Sequence, residues 1–301
     1  MTSIGLIGLG NIGLPIAKVL IDAGHEVLGY RRSASTDFEE IGGRRVGSSR
    51  EVAEGADVIL CCISGDDALR DVIGGENGVA SGDCTGKIVV ELSTLSTEVK
   101  REQLLRLQAK GGMMLDSAIS GLPPMVTART AVYLLSGDEA AYEQARPVIE
   151  ILTDRPCFMG VFGAALNTKL CANMLVAANI ASTAETLAFG TKLGLDPDRL
   201  IAALRDGAGG SVQFSARAGR MAHGDWEKVL ASTDILLKDI LLIEKRGGDL
   251  NMQMPVLSST RPFYEKAIAE GYGGKDVSAV YAVFAEAAGL PTPNKNGDTD
   301  K

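Results

Sequence analysis

The chain has 301 residues, about two domains of ordinary size, and can bury a sizeable core without disulfides or metal. At 46% apolar and 23% charged it has the composition of a globular protein, not a disordered one. Thirty Lys and Arg against 38 Asp and Glu leave a formal charge of −8, which argues against a general polyanion binder and so against a nucleic-acid partner.

The opening MTSIGLIGLG runs into a short apolar strand with no basic region before it, so neither a signal nor a transit peptide is expected. No apolar run approaches the ~20 residues that a membrane helix needs, and no membrane partner is expected. Short apolar runs then alternate with amphipathic stretches: SIGLIG, NIGLPIAKVLIDAG, EVLGY, DVILCCIS, KIVVEL, MMLDSAI and AVYLLS. Such alternation predicts a parallel sheet with crossover helices. After Gly163 the pattern changes, and residues 167–192 read as one long Ala- and Leu-rich helix, the spine of a second domain. Asp196-Pro197 predicts the start of another helix, and Asp276 with VSAVYAVFAEAAG a last one closed by a glycine. The expected organisation is α/β, with an N-terminal Rossmann-type domain over 1–162, an all-α substrate and dimerisation domain over 163–290, and a flexible tail from 291 to 301. Five cysteines (Cys61, Cys62, Cys84, Cys157, Cys171) include no C-x-x-C, so neither a disulfide framework nor a zinc site is expected, and a reducing, cytoplasmic setting fits. His25 and His223 lack ligand spacing and read as surface residues, and Trp226 reads as a packing residue.

Gly8-Leu9-Gly10-Asn11-Ile12-Gly13 is a G-x-G-x-x-G lying between a strand, Ile4 to Ile7, and a helix, Ile12 to Leu20. In that context Gly8 serves the tight turn, Gly10 lets backbone approach a pyrophosphate, and Gly13 lets helix and strand pack closely, with the helix N-terminus facing the anion. NAD sites tend to carry Asp or Glu at the end of the next strand. This chain has Tyr30-Arg31-Arg32-Ser33 there, and guanidinium groups suit a 2′-phosphate, so NADPH is expected in preference to NADH.

Lys169 stands in the expected first turn of the long helix, with Asn173 four residues on and on the same face. A lysine suits a helix N-terminus poorly, which invites a functional reading: an ammonium can protonate a carbonyl oxygen as hydride reaches the carbon. A snorkelling surface lysine is the alternative, and the residues alone favour it.

Four blocks in order resemble those of the β-hydroxyacid dehydrogenase family: GLIGLGNIGLPIAKVL, DSAISG (116–121), GVFGAALNTKLCAN (160–173) and Leu237-Lys238-Asp239-Ile240. The resemblance implies hydride exchange between a nicotinamide cofactor and a small hydroxy acid or semialdehyde. It implies Lys169 as acid/base, Asn173, Ser120 and Gly121 at the substrate, and Thr94 of Ser93-Thr94 beside the nicotinamide. By the same resemblance, Lys238 is expected to close over the site. Gly8, Gly10, Asn11, Ile12, Gly13, Arg31, Arg32, Ser33 and Ser64 complete the expected cofactor contacts.

The chain departs from the family pattern at Leu122-Pro123-Pro124-Met125, where small residues are usual, so Leu122 is expected to reshape the substrate pocket. Arg129 stands at a family glycine and reads as a surface residue. Asp116 is expected to be structural. Two other readings remain: a catalytically silent NADP-binding scaffold, and an imine reductase-like enzyme, against which Lys169 argues. The apolar surface of the long helix predicts a homodimer or homotetramer.

Overall fold

The computed structural model describes residues 3–33 and 36–293; the expected tail from 294 onward lies outside them. The chain divides into two compact units, Met1–Lys169 and Leu170–Lys301, and the division falls inside the long helix.

In the first unit eight strands form one sheet in the order β3-β2-β1-β4-β5-β6-β7-β8. They are β1 (Ile4–Ile7), β2 (Val27–Tyr30), β3 (Arg44–Arg45), β4 (Val58–Cys61), β5 (Ile88–Glu91), β6 (Met113–Ser120), β7 (Val132–Ser136) and β8 (Pro156–Phe158). Neighbours run parallel except β6 and β7. The connecting helices are α1 (Gly13–Asp22), α2 (Asp37–Glu40), α3 (Ser49–Gly55), α4 (Asp66–Gly74), α5 (Thr97–Gln108), α6 (Pro123–Thr127) and α7 (Glu139–Leu152).

β1, β4 and β5 are buried along their whole length, which is why they read as unbroken apolar runs and not as an in-out alternation. Successive residues still point to opposite faces. Leu6, Leu60 and Val90 join one core cluster with Ile16 of α1 and Ile149 of α7, while Ile7, Ile59 and Val89 join the other with Leu69 of α4 and Leu107 of α5. Each such buried side chain contributes about 1.5–3 kcal/mol. Phe38 of α2 is buried behind β2: a Cβ on Gly29 would stand 2.4 Å from its ring, and one on Gly43 2.3 Å.

The long helix, α8 (Ala164–Lys192), begins earlier than the expected Asn167. Gly163, at φ +98, turns the chain, and two first-turn amides are met from the sheet. Ala165 N donates to Ser136 Oγ at 3.0 Å and Leu166 N to Asp116 Oδ2 at 2.9 Å. Lys169 therefore lies in the second turn of the helix, not the first.

The second unit continues α8 and adds α9 (Pro197–Arg205), α10 (Val212–His223), α11 (Thr233–Asp249), α12 (Pro255–Ala267) and α13 (Tyr281–Ala287). Asp196 caps α9 as expected, accepting from Arg199 N at 2.9 Å with Pro197 beginning the helix. Asp276 accepts from Ser278 N, but it opens a 3-10 segment, Val277–Val280, that leads into α13; its other oxygen accepts from Leu230 N and Ala231 N. Trp226 is buried edge-on to Tyr272, ring centroids 5.3 Å apart, in the packing role expected. Among the described residues no helix is long and apolar enough to cross a membrane.

Candidate active site

The parallel register sets Tyr30, Ile7, Cys61, Glu91 and Asp116 side by side in one row across β2, β1, β4, β5 and β6. The segments that follow this row leave the same edge of the sheet. They carry Gly8 to Gly13, Arg31 to Ser33, Ser64, Thr94 and, at the end of the longer β6, Ser120 to Leu122. The order of the strands reverses about β1, and a crevice at such a point is where open α/β sheets take up ligands.

Gly8 has φ +94, and a Cβ on it would stand 1.9 Å from the Cys62 carbonyl oxygen. A Cβ on Gly13 would stand 1.9 Å from Gly8 O, so helix α1 rests directly on the turn. Gly10 is different: within 4 Å of its Cβ position there is nothing, so its backbone faces open space. Helix α1 has no side-chain cap at Ile12 and no acidic residue in its first turn, which leaves its positive end for an anion. Asn11 is exposed at this opening. These residues fit the pyrophosphate of a dinucleotide.

At the end of β2, Arg31 Nε donates to Ser33 Oγ at 3.2 Å, and Arg32 is exposed. Arg45 of β3, which the sequence reading missed, donates from Nη2 to Ser33 O at 3.2 Å. Pairing of β2 with β3 thus brings a third guanidinium to this loop.

A buried charge cluster lies behind the edge. Lys100 Nζ, on α5, is 2.7 Å from Glu91 Oε2 and 2.8 Å from Asp116 Oδ1, with all three residues at most 1% exposed. Asp116 Oδ2 accepts from Ser136 Oγ at 3.0 Å as well as from Leu166 N. Burial pushes the Glu91 carboxyl above its usual range, against the pull of Lys100. Burial also opposes charge on Lys100, but the two carboxylates outweigh it and the ammonium is held above the usual lysine range. Lys100 therefore stays protonated at neutral pH.

Ser120 ends β6, and Leu122 caps α6, whose first residues are Pro123 and Pro124. Their missing N–H groups fall where a helix leaves amides unpaired in any case. A Cβ on Gly121 would stand 2.8 Å from Ala131 Cβ, so this glycine is held by packing as well as by any ligand. Arg129 has the left-handed φ of 59, a conformation that favours glycine, and its side chain donates to Glu150 O and Asp154 Oδ1. It is a surface residue. Lys169 is partly buried on α8. One turn on, Asn173 is buried and donates from Nδ2 to Asp239 Oδ2 at 2.7 Å, while Lys238 Nζ lies 2.8 Å from Asp239 Oδ1. Asp239 thus holds two of the expected site residues, a role the sequence did not reveal. His223 pairs with Asp198 at 2.9 Å on the surface.

Residues 3–163 match the family described as the NAD binding domain of 6-phosphogluconate dehydrogenase, and residues 163–284 match that described as NAD-binding of NADP-dependent 3-hydroxyisobutyrate dehydrogenase. The chain belongs to the β-hydroxyacid dehydrogenase family. Among its relatives, L-threonate dehydrogenase of Cupriavidus necator is 29% identical, over 97% of this chain and 98% of that one. The solved structure of 3-hydroxyisobutyrate dehydrogenase from Salmonella typhimurium is 26% identical and superposes with a TM-score of 0.86, covering 94% of this chain and 100% of that one. The 3-hydroxyisobutyrate dehydrogenase of Mycobacterium tuberculosis, solved with L-serine, is also 26% identical, with a TM-score of 0.81 over 94% and 99% of the two chains. As a β-hydroxyacid dehydrogenase family member the protein binds a nicotinamide dinucleotide.

Proposed function

We propose that the protein is an NADP(H)-preferring oxidoreductase acting on the CH–OH group of a small hydroxy acid or on the carbonyl of the matching semialdehyde or oxo acid. The named relatives act on small hydroxy acids, and family membership carries the reaction class. In this reading residues 1–162 form the dinucleotide domain and 163–290 the substrate and dimerisation domain, in a cytoplasmic protein. The observation that carries the mechanism is a partly buried Lys169 one helical turn before a buried Asn173 whose amide is held by Asp239.

The cofactor, when bound, supplies hydride to the carbonyl carbon. Lys169 gives its Nζ proton to the carbonyl oxygen, so carbon gains hydride, oxygen gains the proton, and the alcohol forms; oxidation runs through the same groups in reverse. Asn173 orients the substrate, with one amide hydrogen already committed to Asp239, and Ser120 and Gly121 receive its carboxylate. Gly8, Gly10, Asn11, Ile12 and Gly13 cradle the pyrophosphate, and Ser64 and Thr94 line the nicotinamide side. Leu122 above the Pro123-Pro124 helix start narrows the choice of substrate. A panel of NADPH oxidations with glyoxylate, succinic, tartronate and methylmalonate semialdehydes and bulkier aldehydes, with L-threonate oxidation beside it, tests this. Turnover with at least one supports it; tight NADPH binding without any turnover would point to the scaffold reading.

The preference for NADPH rests on Arg31 and Arg32, with Arg45 beside them. Removing one charge-assisted contact by Arg32→Ala is expected to lower kcat/KM with NADPH roughly 10- to 100-fold and to leave that with NADH nearly unchanged. A wild-type preference for NADH would refute the assignment.

The second unit exposes large apolar side chains, among them Leu175 and Phe189 of α8, Ile235 and Leu241 of α11 and Val256 of α12. These exposed side chains on α8, α11 and α12 support a homodimer or homotetramer. Light scattering at micromolar concentration is expected to give at least twice the monomer mass; a monomer would refute it.

A further inference from the structure

We propose that Lys100 is a positioning residue whose ammonium anchors, through two separate carboxylates, two sides of the reaction site: the loops carrying Ser64 and Thr94, and the first turns of the helix carrying Lys169. The proposal rests on the reading of Lys169 as proton donor.

The connections run through named atoms on both sides of the ammonium. On one side Glu91 pairs with Lys100 through Oε2 at 2.7 Å and accepts from Ser93 N through Oε1 at 2.9 Å. Ser93 Oγ in turn accepts from Ile63 N at 2.9 Å. One carboxylate therefore fixes the segment after β5, just before Thr94, and through it the segment after β4, just before Ser64. On the other side Asp116 pairs with Lys100 through Oδ1 at 2.8 Å, while its Oδ2 accepts from Ser136 Oγ and Leu166 N. Ser136 Oγ accepts from Ala165 N. The amides that begin α8 are thus capped by the sheet, and Lys169 follows within one turn.

Glu91, Asp116 and Ser136 occupy adjacent strands in one register row, so their side chains share a face of the sheet, and Lys100 reaches them from α5 on that face. Two carboxylates so close would repel one another without the ammonium between them. With it, neither can turn away without leaving a buried charge unpaired. A chain needing only stability could fill this space with apolar side chains; ionic groups with fixed partners add direction, which suits a site whose hydride acceptor and proton donor must be held in register.

The test separates the two sides. Glu91→Gln, which weakens the link to Ser93, is expected to raise KM for NADPH roughly five- to tenfold with kcat little changed. Ser136→Ala, which keeps all three charges, is expected to lower kcat roughly five- to tenfold with KM for NADPH within about twofold, and Ser136→Thr to restore it. Hydrogen exchange of peptide 162–170 should speed up in Ser136→Ala and not in Glu91→Gln. Lys100→Met should show both defects; if it does not fold, the split between the other two variants decides. Equal effects of Glu91→Gln and Ser136→Ala on KM and kcat, or no effect beyond about twofold in either, would overturn the proposal. If Lys169→Ala keeps full activity, the proton-donor reading fails by itself, and exchange at 162–170, which needs no turnover, still reports whether the helix start is held.

Discussion

Lys169→Ala is expected to lower kcat for carbonyl reduction by ~10²- to 10⁴-fold, the usual loss when a positioned general acid is removed. The change should fall on kcat and kcat/KM alike, because the transferred proton stabilises the transition state and not the bound substrate. Binding of NADPH, followed by fluorescence titration, should stay within about twofold of wild type, since the glycine loop and the arginines of 31–33 are untouched. The start of α8 should stay in place, because it is fixed through the backbone amides of Ala165 and Leu166. Turnover by Lys169→Ala within threefold of wild type, about what a lost surface contact explains, would show that the proton comes from elsewhere.

Gly13→Ala should damage the fold of the first unit strongly. The new Cβ would lie 1.9 Å from Gly8 O, a backbone atom of the turn that follows β1. Relief requires α1 to move off β1, opening the contacts of Ile16 and Leu20 with the core. A loss of about 3 kcal/mol or more is expected, seen as a fall of roughly 6–12 °C in Tm. NADPH affinity should drop with it, because moving α1 withdraws the helix N-terminus from the pyrophosphate. Gly10→Ala is the control: nothing lies within 4 Å of its Cβ position, so the fold should keep its Tm while NADPH binding weakens. A Gly10→Ala protein that binds NADPH normally would remove the dinucleotide from this loop.

Much of this architecture is written locally in the sequence. The glycine loop, the Asp196-Pro197 helix start and the doubly buried strands each follow from a few neighbouring residues, and the structure has them where expected. Features assembled from distant residues did not show. Helix α8 begins at Ala164 because its caps come from Ser136 and from Asp116, fifty residues earlier, and no window around residue 164 contains them. Lys100 sits in the charge-rich stretch TEVKREQLLRLQ, where Lys100, Gln103 and Leu107 are buried at helical spacing. That spacing was the available signal. Its partner carboxylates could not be foreseen, since only the pairing of β5 with β6 sets Glu91 next to Asp116. Arg45 was hidden for the same reason, reaching Ser33 through the pairing of β2 with β3.

The clamp of Phe38 between Gly29 and Gly43 bears on how this protein can diversify. One ring fills the space behind β2 and forbids a side chain at either glycine, so the support of the loop is fixed by packing behind it. The residues in front of it, Arg32 and Ser33, are exposed and carry none of that packing. Drift at these outer positions leaves the framework behind them intact. On the proposed role of Arg32, substitutions at these outer positions change the preference between the phosphorylated and unphosphorylated coenzyme without disturbing the packing behind them.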